Sequence, residues 1–112
     1  MTDINTLESQ INAAFDDRAS LGPDSAPAEL RDAVEQTLGL LDSGTLRVAE
    51  PSADGWRVNE WAKKAVLLSF RLYDNHLIEG GHTRYFDKVP GKYAHYSDAD
   101  FRADGVRVVP PA

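Results

Sequence analysis

The segment from Asn59 to Tyr73 constrains the fold most, because its apolar side chains would cover most of the circumference of a single helix. The apolar positions are Trp61, Ala62, Ala65, Val66, Leu68, Phe70 and Leu72. The remaining stripe is polar and consists of Glu60, Lys63, Lys64 and Arg71. Asn59 is a favourable N-cap, and Glu60 precedes Lys64 at the spacing of a helical ion pair. The sequence therefore predicts a central helix that is buried on more than one side.

Two amphipathic helices are predicted on the N-terminal side of this segment. The first runs from a Thr2 or Asp3 cap to about Arg18. Its apolar stripe consists of Ile4, Leu7, Ile11, Ala14 and Phe15. The second has Pro27 in its first turn and ends at Gly44, which can adopt a left-handed conformation without a Cβ clash. Its buried stripe consists of Leu30, Val34, Leu38 and Leu41. Both helices are expected to pack on the central one.

A short β-hairpin is predicted between the second helix and the central helix. Leu46 and Val48 alternate with polar neighbours, and so do Trp56 and Val58. The sequence PSADG at 51–55 separates the two runs and is typical of a five-residue hairpin loop. Because an isolated hairpin is only marginally stable, the helices are expected to cover one of its faces.

The chain after the central helix is predicted to be less regular. Residues 74–90, which contain two adjacent glycines and a proline, are expected to be mostly loop. Ser97 and Asp100 have the spacing of a reciprocal cap, so a short helix is predicted at 97–104, ended by Gly105. The valines that follow predict a strand or an extended connector. The fold class is therefore α+β, mainly α, with a helical domain at 1–104 and an extended connector at 105–112.

Composition excludes several classes of protein. The 112 residues suffice for one small core and contain no cysteine, which rules out a disulfide framework and a thiolate nucleophile. The longest apolar run, Ala65 to Leu68, is far shorter than a membrane span. The first residues are acidic, unlike a signal peptide. With a net charge of −6 and no basic stripe, a nucleic-acid partner is not expected. We expect a cytoplasmic protein without a membrane partner.

The charge is distributed unevenly along the chain. Residues 1–50 carry ten acids and three bases, whereas residues 51–112 carry eight acids and nine bases. From Trp56 to Lys92 there are seven bases and four acids. This stretch could attract an anionic substrate or the phosphates of an acyl-CoA, or it could be a solvated face with local ion pairs.

Side chains that could carry catalysis are few and dispersed. His76, His82 and His95 lie in predicted loops without the i,i+4 spacing of a helical metal site, and their roles stay open. Ser69 lies within the central helix, and Ser97 is accounted for as a cap. The aromatic residues Tyr85, Phe86, Tyr93 and Tyr96 are expected to form core or interface contacts. No catalytic residue and no metal site are predicted in this chain.

Four collinear strings resemble the N-terminal region of the tetrahydrodipicolinate N-succinyltransferase family. They are LLDSGTLRVAE at 40–50, NEWAKKAVLLSFRL at 59–72, YFDKVP at 85–90 and GVRVVPPA at 105–112. Members of that family continue into a long left-handed β-helix. This chain contains no series of hexapeptide repeats, the signature of such a helix, so the resemblance implies the N-terminal domain of that enzyme.

The resemblance also implies a function. The family transfers succinyl from succinyl-CoA to tetrahydrodipicolinate, in lysine and diaminopimelate biosynthesis. Its active sites lie between the β-helices of neighbouring subunits in a homotrimer, and the residues that activate the nucleophile lie beyond position 112. The chain alone is therefore expected to be inactive, to contribute substrate positioning and assembly, and to bind no cofactor, since succinyl-CoA is a cosubstrate of the parent enzyme.

Arg107 is the residue onto which the resemblance places substrate binding. In the family, the arginine of the G-x-R-V-V-P-P segment contacts tetrahydrodipicolinate, and Arg107 is the matching position. The chemistry is suitable, because a planar guanidinium can donate two parallel hydrogen bonds to a carboxylate. The alternatives are a stand-alone interaction domain without catalysis, and the same module in a different acyltransferase.

Overall fold

The computed structural model describes residues 2–112 and confirms an α+β chain that is mainly helical. In chain order the helices and strands are α1 (Ile4–Asp16), α2 (Ala28–Ser43), β1 (Ala49–Ser52), β2 (Gly55–Val58), α3 (Glu60–Leu72), β3 (His76–Glu79), β4 (Arg84–Asp87) and α4 (Asp98–Asp104). A single 3₁₀ turn at Arg18–Ser20 follows α1. The strands form two separate antiparallel hairpins, β1–β2 and β3–β4. Within the described residues, no helix combines the length and apolar character that a bilayer span requires.

The core lies where α1, α2 and α3 pack against one another. Its buried residues are Leu7, Ile11, Leu30, Ala33, Val34, Leu40, Leu46, Trp61, Ala62, Ala65, Leu68 and Leu72. Leu68 and Leu72 of α3 have no exposed surface, as expected for the central helix. Phe70, in contrast, is 44% exposed, because α1 and α2 cover two sides of α3 and leave a third side open. The central position of α3 is confirmed, and the burial of Phe70 is not.

The ends of the first two helices agree with the sequence in most details. The carboxylate of Asp3 caps α1 by accepting from the backbone N–H of Thr6 at 3.0 Å. Gly44 ends α2 with φ 80°, in the left-handed conformation that favours glycine. Pro27, predicted in the first turn of α2, instead precedes it as the N-cap residue with extended backbone. Helix α1 also ends earlier than predicted, because the chain tightens into the 3₁₀ turn after Asp16.

Asn59 stands at the N-cap of α3 as predicted, but its side chain does not cap the helix. Its Nδ2 donates to the carbonyl of Arg47 at 2.7 Å, and its backbone N–H donates to the carbonyl of Val48 at 2.7 Å. These two bonds fasten the start of α3 to the segment that precedes β1. The residue therefore links two parts of the chain instead of satisfying the helix end.

The first hairpin forms and its second strand contains Trp56 and Val58 as predicted, but the predicted first strand and five-residue loop are wrong. The paired residues run from Ala49 opposite Val58 to Ser52 opposite Gly55, so only two residues remain in the loop. Leu46 is buried in the helical core, because its backbone N–H donates to the carbonyl of Leu40 and folds the chain back over the end of α2. Leu46 therefore packs in the core and is not part of a strand, whereas Val48 is exposed.

The second hairpin lies in the stretch that the sequence predicts as mostly loop, and that prediction is wrong. His76 pairs with Asp87 and Glu79 with Arg84, which leaves four residues in the turn. Gly81, at φ 79°, supplies the left-handed position that this turn requires. The two glycines therefore form the hairpin turn, while the short strands beside them pair with each other.

Helix α4 begins with the predicted reciprocal cap and ends at the predicted glycine. The hydroxyl of Ser97 accepts from the Asp100 N–H at 3.2 Å, and the Asp100 carboxylate accepts from the Ser97 N–H at 2.9 Å. These bonds to Ser97 lower the pKa of Asp100. Because the pKa is lowered in the folded state, the ionised Asp100 carboxylate stabilises the fold. This stabilisation is fully present above the ordinary aspartate pKa and is lost as the pH falls through the lowered value.

Replacing Ser97 with alanine is expected to weaken α4 by about 0.5–2 kcal/mol, the usual effect of losing an N-cap side chain. Faster amide hydrogen exchange in α4, with unchanged exchange in α3, would report this local loss. Ser9→Ala is the matched control, because Ser9 is exposed on α1 and no hydrogen bond to its hydroxyl occurs within residues 2–112, so exchange in α4 should stay unchanged. Unchanged exchange in α4 of the Ser97→Ala protein would contradict the assigned role.

The C-terminal third of the chain lies outside the helical core. No residue beyond Tyr73 belongs to the core or to the side chains packed against it. The Cα radius of gyration is 16.5 Å, compared with about 13 Å for a compact domain of this length. Lys88 donates to the carbonyl of Phe70 at 3.2 Å, and Lys92 forms an ion pair with Asp42 at 2.6 Å. We call residues 76–112 the C-terminal arm.

Candidate functional site

The segment that follows α4 is the site to which the sequence points. Gly105 closes the helix at φ 68°, with its N–H donating to the carbonyl of Phe101 at 2.9 Å. The chain then continues without a hydrogen-bonded strand, so of the two predicted alternatives the irregular connector is the one that forms. Val106 is half-buried, whereas Val108 and Val109 are exposed.

Arg107 is exposed on this connector. Among residues 2–112, no side chain or carbonyl forms a hydrogen bond or an ion pair with its guanidinium. The connector therefore presents a permanent cation whose donors are open to a ligand. A planar group of this kind fits a carboxylate with two parallel, charge-assisted hydrogen bonds.

An aromatic cluster lies directly before this connector. The ring of Tyr96 meets the ring of Tyr93 edge-on at 4.9 Å and that of Phe101 at 5.1 Å. The hydroxyl of Tyr96 donates to Oδ2 of Asp104 at 2.5 Å. Of the four aromatic residues that the sequence groups together, only these two tyrosines join the cluster. Tyr85 and Phe86 lie on β4, and no ring contact involves them in the described part of the chain.

Sequence reasoning missed the bond between Tyr96 and Asp104. Tyr96 lies before the N-cap of α4, and Asp104 is the last residue of the helix. Their contact depends on α4 being only seven residues long, so that one tyrosine side chain can reach its far end. The sequence did offer one signal for it, namely a predicted short helix with a tyrosine just before its start and an aspartate at its end.

The three histidines lie on the C-terminal arm and are exposed. His76 begins β3, His82 lies in the turn of that hairpin, and His95 lies between β4 and α4. In residues 2–112 no group of three or more histidine, aspartate or glutamate side chains is placed so that it could hold a metal ion. The hydroxyl of Ser69 donates to the carbonyl of Val66 at 2.6 Å within α3. No hydrogen bond within residues 2–112 links this hydroxyl to a side chain that could act as a general base.

The basic stretch from Trp56 to Lys92 does not form a single anion-binding surface. Arg57 pairs with Glu50 at 2.9 Å, and the hydrogen bond from Arg57 lowers the pKa of Glu50. Lys64 donates to Oδ1 of Asn12 at 3.1 Å, and the predicted pair between Lys64 and Glu60 does not form. Most of these bases therefore have local partners, which favours the alternative of a solvated face.

None of four grooves on the surface of residues 2–112 is lined by Arg107. A polar groove of ≈ 500 Å³ lies between α1, the first hairpin and the start of α3. An apolar groove of ≈ 540 Å³ runs between α2 and α3, where Val66 and Phe70 face Val89. Arg107 thus lies on an open surface of this chain, and enclosure of a ligand there would need a further protein surface.

Comparison with known protein families identifies a class of acyltransferase domain. The sequence profile of the family described as "Tetrahydrodipicolinate N-succinyltransferase N-terminal" matches residues 6–72. This match includes most of α1 and all of α2, the first hairpin and α3, and it spans every residue of the buried core. The chain belongs to this family, and the family resemblance seen in the sequence is confirmed.

Individual relatives carry the same name over a longer span. The 2,3,4,5-tetrahydropyridine-2,6-dicarboxylate N-succinyltransferase of Methylococcus capsulatus is 57% identical over 107 residues, which is 96% of this chain and 40% of the relative. The enzyme of the same name from Nitrosococcus oceani is 58% identical over 109 residues, which is 97% of this chain and 40% of the relative. The chain therefore spans about 40% of the length of the curated relatives it matches.

Proposed function

We propose that this chain is the N-terminal domain of an enzyme that transfers succinyl from succinyl-CoA to tetrahydrodipicolinate, in lysine and diaminopimelate biosynthesis. The observation that carries the proposal is the 57% identity to the Methylococcus capsulatus enzyme across 96% of the chain. Residues 1–104 form the domain, and residues 105–112 form a connector toward a left-handed β-helix. The complete enzyme is a cytoplasmic homotrimer in this proposal.

Within that enzyme, the chain supplies substrate positioning and assembly. Arg107 binds a carboxylate of tetrahydrodipicolinate, because its donors are open and it lies on the exposed connector that follows Gly105. The residues that activate the attacking amine and hold succinyl-CoA lie outside this chain. Orientation of a bound substrate is a real contribution to catalysis, but it requires the remaining groups of the site.

Purified residues 1–112 are expected to show no succinyltransferase activity. Within the described residues no histidine side chain forms a hydrogen bond, and Ser69 donates to a helix carbonyl, so no serine–histidine pair is arranged to accept a proton from the attacking amine. Release of free CoA from succinyl-CoA, followed with a thiol reagent in the presence of tetrahydrodipicolinate, should stay at background. Turnover above background would contradict the division of labour between this chain and the rest of the enzyme.

A stand-alone interaction domain is the second candidate, favoured by the exposure of large apolar side chains. Trp56 is 69% exposed and Phe86 is 71% exposed, and aromatic side chains are enriched in protein interfaces. The mass of the natural gene product separates the two functions. A product of about 270 residues favours the enzyme, since 107 matched residues make up 40% of the relative. A product of 112 residues favours the interaction domain.

The same module in a different acyltransferase is the third candidate. The complete gene product should be assayed with succinyl-CoA and with acetyl-CoA in parallel, each with tetrahydrodipicolinate as acceptor. A strong preference for succinyl-CoA supports the proposed function. A preference for another acyl donor, or for another acceptor, supports the different acyltransferase.

A further inference from the structure

Asp104 is the acid nearest to Arg107 in the sequence, three residues before it. An aspartate and an arginine so close together beside a helix end would ordinarily be able to form a local ion pair. Such a pair would occupy the guanidinium that the proposed function assigns to the substrate. No ion pair joins these two residues in the described structure, and the Asp104 carboxylate has a different partner.

The hydroxyl of Tyr96 is that partner, donating to Oδ2 of Asp104 at 2.5 Å. The Tyr96 ring is held by edge-on packing against Tyr93 and Phe101, which fixes the position of the hydroxyl. The hydrogen bond to Asp104 also raises the pKa of Tyr96 to about 12. A phenol is protonated at neutral pH even at its ordinary pKa, so the hydroxyl is a donor there, and the raised pKa extends this to more alkaline solution.

We propose that Tyr96 is a positioning residue that holds the Asp104 carboxylate at the end of α4 and thereby leaves Arg107 free to bind the dicarboxylate substrate. This inference rests on the proposed function of Arg107. Tyr96 touches no substrate in this arrangement, and its effect passes through the carboxylate. The cluster of aromatic rings serves to keep the hydroxyl in place.

The expected rise in KM follows from competition between the Asp104 carboxylate and the substrate for Arg107. An exposed ion pair between Arg107 and a released Asp104 would be weak, with an equilibrium constant of roughly 1–5. Since the paired arginine cannot bind substrate, the apparent KM rises by about two- to sixfold. The bound complex itself is unchanged, so kcat stays close to the wild-type value.

The test uses the complete gene product, assayed with tetrahydrodipicolinate and succinyl-CoA. Tyr96→Phe removes one oxygen and keeps the packed ring, and it should raise KM for tetrahydrodipicolinate about two- to sixfold with little change in kcat. Adding Asp104→Asn removes the competing charge, so the double variant should return to the wild-type KM. Tyr93→Phe is the matched control, because no hydrogen bond to the Tyr93 hydroxyl occurs within residues 2–112.

Each other outcome overturns the inference in a recognisable way. An unchanged KM in Tyr96→Phe shows that Asp104 does not compete for Arg107. A raised KM that Asp104→Asn does not restore, or a Tyr93→Phe variant with the same defect, indicates a structural role of the aromatic cluster. If Arg107→Ala has wild-type kinetics, the proposed function of Arg107 fails as well. If only Arg107→Ala is impaired, the proposed function stands and the role of Tyr96 falls.

Thermal melting of each variant checks that folding is retained. Should Tyr96→Phe fail to fold, Asp104→Ala provides a second variant, which tests whether the carboxylate itself contributes to substrate binding. It removes the carboxylate while Tyr96 remains, so KM for tetrahydrodipicolinate should not rise. A severalfold rise in KM for folded Asp104→Ala would mean that the carboxylate assists substrate binding, and would overturn the inference.

Discussion

Leu68→Ala is expected to lower the free energy of unfolding by about 2–5 kcal/mol, the usual cost of truncating a fully buried leucine. Leu68 has no exposed surface and lies in the middle of α3, where α1 and α2 both pack. The truncation removes apolar contacts and leaves a cavity that the surrounding helices can only partly fill. Small domains have a total stability of about 5–15 kcal/mol, so much of the variant could be unfolded near room temperature.

Urea unfolding followed by circular dichroism measures this effect, provided that wild type and variant share the same dependence on denaturant. Leu67→Ala is the matched control, because the adjacent leucine is 42% exposed and should cost far less. Equal unfolding midpoints for Leu68→Ala and the wild type would show that α3 is oriented differently from the structure described above.

Arg107→Ala in the complete gene product is expected to lower kcat/KM for tetrahydrodipicolinate by roughly 10- to 150-fold. This range corresponds to losing about 1.5–3 kcal/mol, the contribution of a hydrogen bond to a charged group. Arg107→Lys should recover only part of the loss, since an ammonium keeps the charge but lacks the planar pair of donors. The melting temperature should barely change, because the described chain offers Arg107 no partner.

Steady-state kinetics at varied tetrahydrodipicolinate and saturating succinyl-CoA give the comparison. Arg102→Ala is the matched control, because Arg102 lies on the adjacent helix, forms an exposed pair with Asp98 at 2.7 Å and has no proposed ligand. Wild-type kinetics for Arg107→Ala, or an equal loss for both arginine variants, would remove Arg107 from the substrate site.

The helical core could be predicted because burial in it follows the helical period. Residues such as Leu7 and Leu68 recur at positions that one helix face must cover, and glycine at position 44 has a conformation that few other residues adopt. Phe70 was assigned to the core from its apolar character alone. Its exposure arises because α1 and α2 leave one side of α3 open, which periodicity does not encode.

The hairpins were predicted poorly because strand pairing depends on contacts between segments. The first hairpin was shifted because Leu46, an apolar residue at strand spacing, packs into the helical core. The second was missed because Gly80 and Gly81 were taken to interrupt structure, although a pair of short strands can use such a turn.

The candidate site was only partly accessible from the sequence. The assignment of Arg107 came from the resemblance, since an arginine among valines and prolines has no distinguishing physical pattern of its own. The hydrogen bond between Tyr96 and Asp104 joins residues eight positions apart and depends on the length of α4. Residue spacing alone does not establish such a contact. It also does not show which local partners the bases from Trp56 to Lys92 have.

The separation of the C-terminal arm from the helical core has a thermodynamic consequence. Because the core ends at Tyr73, opening the arm exposes little of the apolar surface that stabilises α1, α2 and α3. Its ties to the core at Lys88 and Lys92 are exposed polar contacts, each of small net free energy. Opening the C-terminal arm should therefore cost less free energy than unfolding the helical core. The lower stability belongs to the part that carries Arg107, so its alignment would be fixed by docking and not by folding.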